Sequence, residues 1–198
     1  GDAWFDGATK GSVADWYIYR LAETYLLRAE AYYYLGKTDL AAKDVDEVRK
    51  RAECKVLYSD TKGSVNIGDI MDERARELYL EEFRHAELSR VSHCLALSGK
   101  PDEWGNTYDV KTYCKEEGTN STGGSYWYQR VIKYNGFYNT GIPVIANKNT
   151  YNYMVGKHNL YWPIPNAAIT KNIKGKLRQN VGYEGYDPTV PVFETWEE

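Results

Sequence analysis

Aromatic and amide side chains are concentrated in the second half of this sequence, and together they could bind a sugar. The C–H face of a pyranose is apolar and stacks on a flat aromatic ring, while its hydroxyls need polar partners. Residues 99–162 supply both, because asparagine, glutamine and arginine are interleaved with tryptophan and tyrosine. The residues predicted to contact a ligand are Trp4, Trp104, Tyr126, Trp127, Tyr128 and Arg130.

These rings have a simpler interpretation, since alternating aromatic residues also pack across the strands of a hairpin. Trp104 and Trp127 lie nearest to loop signals, and Trp4 lies in a Gly-rich stretch, so these three are the strongest candidates for ligand contact. Trp162 stands beside Pro163 and is predicted to pack rather than to face a ligand. Both interpretations stay open for the remaining rings.

Catalytic motifs are missing from the sequence, which contains no HExxH, GxSxG, P-loop or strand-associated GxGxxG pattern. Glu77 and Glu81 could be read as the paired carboxylates of a hydrolase, but carboxylates four residues apart on a helix more often form structural ion pairs. His85 and His93 are eight residues apart, too far along one helix to hold a metal together. We therefore expect no catalytic residue, no metal site and no cofactor.

The overall composition excludes several classes of protein. The formal net charge of −3 predicts no basic surface for nucleic acid. The longest apolar runs are too short to span a bilayer, and three cysteines without a CxxC pattern argue against a disulfide scaffold or a zinc ribbon. The sequence starts at Gly1 without a signal peptide, so we expect either a mature fragment or an artificially shortened one.

Two short helices are predicted near the start of the chain. Apolar residues recur at helical spacing from Ile18 to Tyr33, and Gly36 is placed to end that helix. Thr38 is predicted to cap a second helix that runs to about Ala52. The connection is so short that the helices must form an antiparallel pair, with the spacing of one tetratricopeptide-type repeat. One repeat cannot bury its own apolar face, so partners must come from elsewhere.

A long third helix is predicted from about Asp69 to Leu97, after a loop at residues 55–68. Its charges are dense for a partly apolar helix, which predicts buried or interfacial salt bridges. The pairs available within one helix are Arg74–Glu77, Glu81–Arg84, Glu81–His85 and Glu87–Arg90.

Alternation replaces the helical period after Pro101. Residues 106–115 and 126–134 each alternate, and the polar, Gly-rich stretch from Glu116 to Gly124 joins them, so we predict a β-hairpin. A short helical turn is predicted near Asn166, and the remaining residues read as irregular structure rich in glycine, asparagine and tyrosine.

Four segments, in this order, resemble the C-terminal part of the SusD/RagB family. They are IYRLAETYLLRAEAYYYLGKTDLAAKDVDEVRKRA (18–52), IMDERARELYLEEFRHAELSRV (70–91), LYWPIPNAAITKN (160–172) and QNVGY (179–183). The chain departs from the family pattern at Val181, where proline is common, and after Pro165, where an acidic residue is usual.

The resemblance implies a mainly α fold: a tetratricopeptide-like helix pair and a long helix (15–97), then a hairpin- and loop-rich region (98–198). It implies a non-enzymatic outer-membrane lipoprotein that binds a glycan or another nutrient for a TonB-dependent, SusC-like transporter. The lipid anchor and most helix pairs would lie upstream of Gly1. Two other functions stay open: a tetratricopeptide-type adaptor that binds peptides, and a surface glycoside hydrolase.

Overall fold

The computed structural model describes residues 18–110, 125–134, 159, 162–173, 175–180 and 182–190. These residues form seven helices and no strand, which confirms a mainly α chain over the described ranges. The helices are α1 (Leu21–Tyr34), α2 (Thr38–Arg51), α3 (Tyr58–Thr61), α4 (Ile67–Glu77), α5 (Arg84–Ser98), α6 (Tyr126–Tyr134) and α7 (Asn166–Thr170). None of these described helices has the length and apolar character needed to cross a bilayer.

The chain divides into two compact units, a first unit from Gly1 to Glu82 and a second unit from Phe83 to Glu198. In the first unit α1 and α2 pack against each other as the predicted helix pair. Small side chains at their interface let the helices approach closely. The buried apolar residues of the pair are Ala22, Leu26, Ala29, Tyr33, Ala41, Ala42, Val45 and Val48. Ile18 and Leu21, predicted on the same face, are exposed because they lie beside the stripe that begins at Ala22.

Gly36 ends α1 as predicted, with a positive φ of 75°. The amide of Gly36 donates to the carbonyl of Tyr33 and the amide of Lys37 donates to that of Tyr32, the two bonds of a Schellman turn. The predicted Thr38 cap is wrong: Thr38 is the first residue of α2, and the preceding Lys37 makes no side-chain cap. Lys37 occupies the cap position, and its side chain has no acceptor to offer the first amides of α2.

Replacing Gly36 by alanine is expected to lower the free energy of unfolding by about 1 kcal/mol, because a Cβ is disfavoured at positive φ. A Cβ built there meets nothing within 4 Å, so the cost is conformational rather than steric. Urea unfolding measures this change in the free energy of unfolding. Gly175→Ala is the matched control, since Gly175 has no positive φ and a Cβ there meets only Asn172 at 4.0 Å. Equal effects of the two substitutions would contradict the prediction.

The predicted single helix from Asp69 to Leu97 is wrong, because α4 ends at Glu77 and α5 begins at Arg84. Asn66 caps α4 in a capping box: its side chain accepts from the Asp69 amide, and the Asp69 carboxylate accepts from the Asn66 amide. Between the two helices Leu80 adopts a φ of 64°, which an α-helix does not tolerate.

Long-range ion pairs explain this interruption. Arg20 donates to Glu77 and Glu81 at 2.5 Å each, and Arg74 donates to Glu82 at 2.7 Å. The Arg74–Glu77, Glu81–Arg84 and Glu81–His85 pairs were predicted within one continuous helix, and the last two would need a helix that runs unbroken from Glu81 into α5. The Glu87–Arg90 pair within α5 is confirmed at 2.7 Å. The expectation of buried salt bridges is also confirmed, since the Arg74 side chain is fully buried and that of Glu82 is 5% exposed.

The predicted hairpin is wrong, because residues 126–134 form helix α6. Ser125 precedes α6, and its hydroxyl accepts from the Tyr128 amide as an N-cap does. The Ser92 hydroxyl on α5 accepts a second terminal amide, that of Trp127, at 3.0 Å. Residues 106–110 of the other predicted strand are not in a strand, and residues 111–124 lie outside the described ranges. The short helix near Asn166 is confirmed as α7.

Candidate functional site

A tight turn in the second unit is built around the buried carboxylate of Asp102. This carboxylate accepts hydrogen bonds from the amides of Trp104 and Asn106, from the Asn106 side chain and from the Tyr108 hydroxyl, at 2.7–2.9 Å. Gly105 takes the positive φ of 86° that the turn requires. Asp102 is 5% exposed, so these bonds are shielded from water and hold the backbone of Trp104 in one conformation.

Trp104 belongs to a group of five side chains, here named the Trp104 cluster: Trp104, Tyr126, Arg130, Lys133 and Tyr134. The Trp104 ring centroid lies 5.8 Å from that of Tyr134 and 6.4 Å from that of Tyr126. The Lys133 ammonium lies 4.8 Å from the Trp104 ring centroid, a cation–π distance. Trp104 is half-buried and Tyr134 is 60% exposed, so two tilted rings and a cation reach the surface together.

A buried ion pair stabilises the Trp104 cluster. Arg130 donates to Glu103 at 2.7 Å, and the two side chains are 7% and 8% exposed. Arg130 also donates to the Tyr126 hydroxyl at 3.1 Å. Burial raises the pKa of Glu103, and the neighbouring Arg130 charge opposes that rise. Burial likewise raises the pKa of Tyr126, so the phenol stays protonated and neutral. The pair joins α6 to the turn that carries Trp104.

A second group, here named the Trp162 cluster, consists of His85, Trp127 and Trp162. The His85 ring packs edge to face against Trp127 at 4.6 Å and against Trp162 at 5.5 Å between centroids. The Trp162 indole Nε1–H donates to His85 Nδ1 at 2.8 Å, and His85 Nε2–H donates to the carbonyl of Asn159 at 2.9 Å. Because an indole N–H can only donate, Nδ1 of His85 accepts from Trp162, which leaves Nε2 to donate to Asn159.

The backbone of Trp162 is held by the segment resembling the family's QNxGY signature. The Gln179 side chain accepts from the Ile164 amide at 2.8 Å and donates to the Ile164 carbonyl at 2.9 Å. The side-chain NH2 of Asn180 donates to the Trp162 carbonyl at 2.6 Å. The PIP and QNxGY signatures, far apart in the sequence, therefore form one hydrogen-bonded unit.

The structure sorts the predicted ligand-contacting residues by exposure. Trp104 and Trp127 are half-buried, so both remain candidates for ligand contact. Tyr126 and Tyr128 are buried, and Arg130 is buried in its ion pair, so these three support neighbouring side chains. Trp4 lies outside the described residues.

The sequence did not predict the positions of three residues in the two clusters: Trp162, Tyr134 and Lys133. Trp162 is predicted to pack. Its indole does contact His85, but Trp162 is 63% exposed. Tyr134 and Lys133 join the Trp104 cluster only because residues 126–134 are helical, which brings side chains three and four apart together. Ser125 before an aromatic run was the signal that could have revealed this helix.

Hydrolase-type chemistry finds no support in the carboxylates considered from the sequence. Glu77 and Glu81 both pair with Arg20, so they act as structural ion-pair partners, as the sequence favoured. Over the ranges that the structure describes, no group of three or more His, Cys, Asp or Glu side chains could hold a metal ion.

Comparison with known proteins assigns a family to this arrangement. The model described as the SusD family matches residues 6–183. The "Starch-binding protein SusD" of Bacteroides thetaiotaomicron is 42% identical over 73 residues, which are 37% of this chain and 12% of that protein's length. The aligned part is thus a small fraction of that relative. No solved structure matches the chain significantly. Proteins of the SusD family are non-catalytic binding proteins located at the cell surface as lipoproteins.

Proposed function

The chain belongs to the SusD family, and on that premise we propose that it is the C-terminal part of a SusD-like domain that captures glycans at the cell surface. Residues 15–97 serve as its helical scaffold, and residues 98–198 carry ligand-contacting side chains. The complete protein delivers the glycan to a SusC-like, TonB-dependent transporter in the outer membrane, where an N-terminal lipid anchors it. The starch-binding relative supports a glycan rather than another nutrient.

The Trp104 cluster carries this proposal. A sugar stacks through its C–H face on the ring of the half-buried Trp104, and the Tyr134 ring lies beside it at 5.8 Å between centroids. Asp102 holds the backbone of Trp104, and the Glu103–Arg130 pair joins that turn to α6 before the ligand arrives, so less conformational entropy is lost on binding. Tyr126 and Arg130 act as positioning residues, since both are buried.

Trp127 is proposed as a further contact, from the Trp162 cluster, with the buried Tyr128 as a support on the same helix. The contact proposed for Trp4 rests on the sequence alone. Affinity should be modest, because each stacked ring contributes little and sugar hydroxyls must give up bound water. No residue of the chain is proposed to attack the glycosidic bond.

Trp104→Ala in the full-length protein is expected to weaken glycan binding about tenfold, since the loss of one stacked ring costs on the order of 1.4 kcal/mol. Isothermal titration calorimetry against a panel of oligosaccharides measures the change. Trp104→Phe should retain part of the affinity. Tyr79→Ala is the matched control, because Tyr79 is an aromatic residue of the first unit that is 74% exposed. Equal affinity of Trp104→Ala and the parent for every bound oligosaccharide would contradict the proposed site.

The alternative function as a glycoside hydrolase is tested by incubating the protein with the same oligosaccharides and measuring new reducing ends. The proposal expects no release of new ends. Release of new reducing ends that disappears in Glu77→Gln or Glu81→Gln would favour the hydrolase.

A screen of peptides tests the adaptor. Peptide binding that is abolished by substitutions on α1 or α2, with no glycan bound, would favour that function instead.

A further inference from the structure

The cation of the Trp104 cluster lies where a stacked sugar would meet it. The Lys133 ammonium is 4.8 Å from the centroid of the Trp104 ring, and Lys133 is exposed. We propose that the Trp104 cluster prefers acidic glycans, with Lys133 pairing to the carboxylate of a uronic acid stacked on Trp104. This inference rests on the proposed glycan-binding function and specifies its substrate class.

The charges around Trp104 leave Lys133 as the group that a ligand meets. Glu103 is paired with Arg130, and both side chains are more than nine-tenths buried. Asp102 is buried and its oxygens already accept four hydrogen bonds, so it offers no free acceptor to a ligand. Among the described residues no carboxylate forms an ion pair with Lys133. A carboxylate arriving with a ligand would therefore meet a cation that no carboxylate of the described ranges contacts.

Side-chain geometry makes this pairing compatible with stacking. Lysine has four rotatable methylene bonds, so the ammonium can swing from the face of the indole to its rim when a sugar ring takes that face. The methylene stem can then remain against the aromatic ring while the ammonium stays in water. A uronic acid carries its carboxylate on C5, at the rim of the pyranose, where the displaced ammonium can donate a charge-assisted hydrogen bond.

The expected preference is moderate and sensitive to salt. An exposed ion pair typically changes affinity by a factor of about 2–5, so an acidic sugar should bind about threefold tighter than its neutral counterpart. Screening over a Debye length of about 3 Å near 1 M salt should abolish the difference, while stacking persists.

The test compares an oligogalacturonide with its fully methyl-esterified form, which has the same rings without the charge. Affinities of the full-length protein are measured by calorimetry at low and high salt. We expect the acid to bind about threefold tighter at low salt, and Lys133→Gln to bring the ratio of the two affinities close to one. Lys133→Arg should keep the preference. Lys43→Gln is the matched control, because Lys43 is an exposed lysine of α2 in the first unit.

The outcomes separate this inference from the function on which it rests. If acid and ester bind equally and Trp104→Ala weakens both, the acidic preference is overturned and glycan binding stands. If the acid binds tighter but Lys133→Gln leaves the ratio unchanged, Lys133 is not its cause and the inference fails. If Trp104→Ala changes binding of neither these nor any neutral oligosaccharide, the proposed function itself fails.

Discussion

Arg74→Ala is expected to lower the free energy of unfolding by about 3–5 kcal/mol, the typical cost of removing one partner from a buried ion pair. The Arg74 side chain is fully buried, and it contacts Glu82 at 2.7 Å and Glu23 at 3.4 Å. Glu82 is 5% exposed, so without the guanidinium its charge would lose this ion pair away from water. Much of the effect therefore comes from the carboxylate that remains behind rather than from the lost attraction.

Urea unfolding followed by circular dichroism measures this prediction. Arg51→Ala is the matched control, since Arg51 pairs with Glu77 at 2.6 Å but has a 66% exposed side chain. Its removal should cost less than about 1 kcal/mol. If Arg74→Ala is too unstable to purify, the double variant Arg74→Met with Glu82→Leu keeps the question open to measurement. It should recover most of the stability, because well-packed apolar side chains can replace a buried pair. Equal costs for Arg74→Ala and Arg51→Ala would show that burial does not set the energy of this pair.

Asp102→Ala is expected to destabilise the turn that carries Trp104 by about 3 kcal/mol and to weaken glycan binding about tenfold. Four donors lose their acceptor at once, and hydrogen bonds to a charged group contribute about 1.5–3 kcal/mol each. The sum is not additive, because an opened turn lets water reach the freed donors. Binding weakens because the turn and the indole of Trp104 must then be ordered when the ligand binds, and the lost conformational entropy reduces the affinity.

Amide hydrogen exchange distinguishes this local effect from global unfolding. The amides of Trp104 and Asn106, which donate to Asp102, should lose protection, while amides within α1 and α2 stay protected. Asp102→Asn should lie between the parent and Asp102→Ala, since an amide keeps one acceptor oxygen. Asp60→Ala is the control, because Asp60 is an exposed carboxylate of the first unit. Parent-like glycan affinity in Asp102→Ala would rule out a positioning role for Asp102.

Local patterns predicted the helix pair correctly. The predicted stripe from Ile18 to Tyr33 and the glycine at position 36 are properties of consecutive residues. The structure buries Ala22, Leu26, Ala29 and Tyr33 of that stripe and gives Gly36 the positive φ that ends α1. The same holds for α7, which begins at Asn166 directly after Pro165. Such features depend on spacing and on backbone conformations that each residue type favours, so they can be read without knowing which segments later meet.

The strand predicted for residues 126–134 is wrong, because a stretch of only nine residues can alternate in this way in a helix as well as in a strand. The alternating sequence YWYQRVIKY predicts a strand, yet Ser125 and Ser92 accept the amides at the start of a helix there. Ser92 lies 35 residues away in the chain, so its contribution is invisible to any local pattern. The break after Glu77 has a similar origin, since Arg20 reaches Glu77 and Glu81 across more than 50 residues.

The sequence by itself determined the family signatures, the helix pair, the richness in aromatic side chains and the density of charges on α4 and α5. Tertiary structure alone decided which rings are exposed, burying Tyr126 while leaving Trp162 63% exposed, and which carboxylate each arginine reaches. The physical reason is that exposure and pairing depend on what packs against a side chain. Those neighbours are supplied by distant segments, whereas helical periodicity and turn conformation are settled within a few residues.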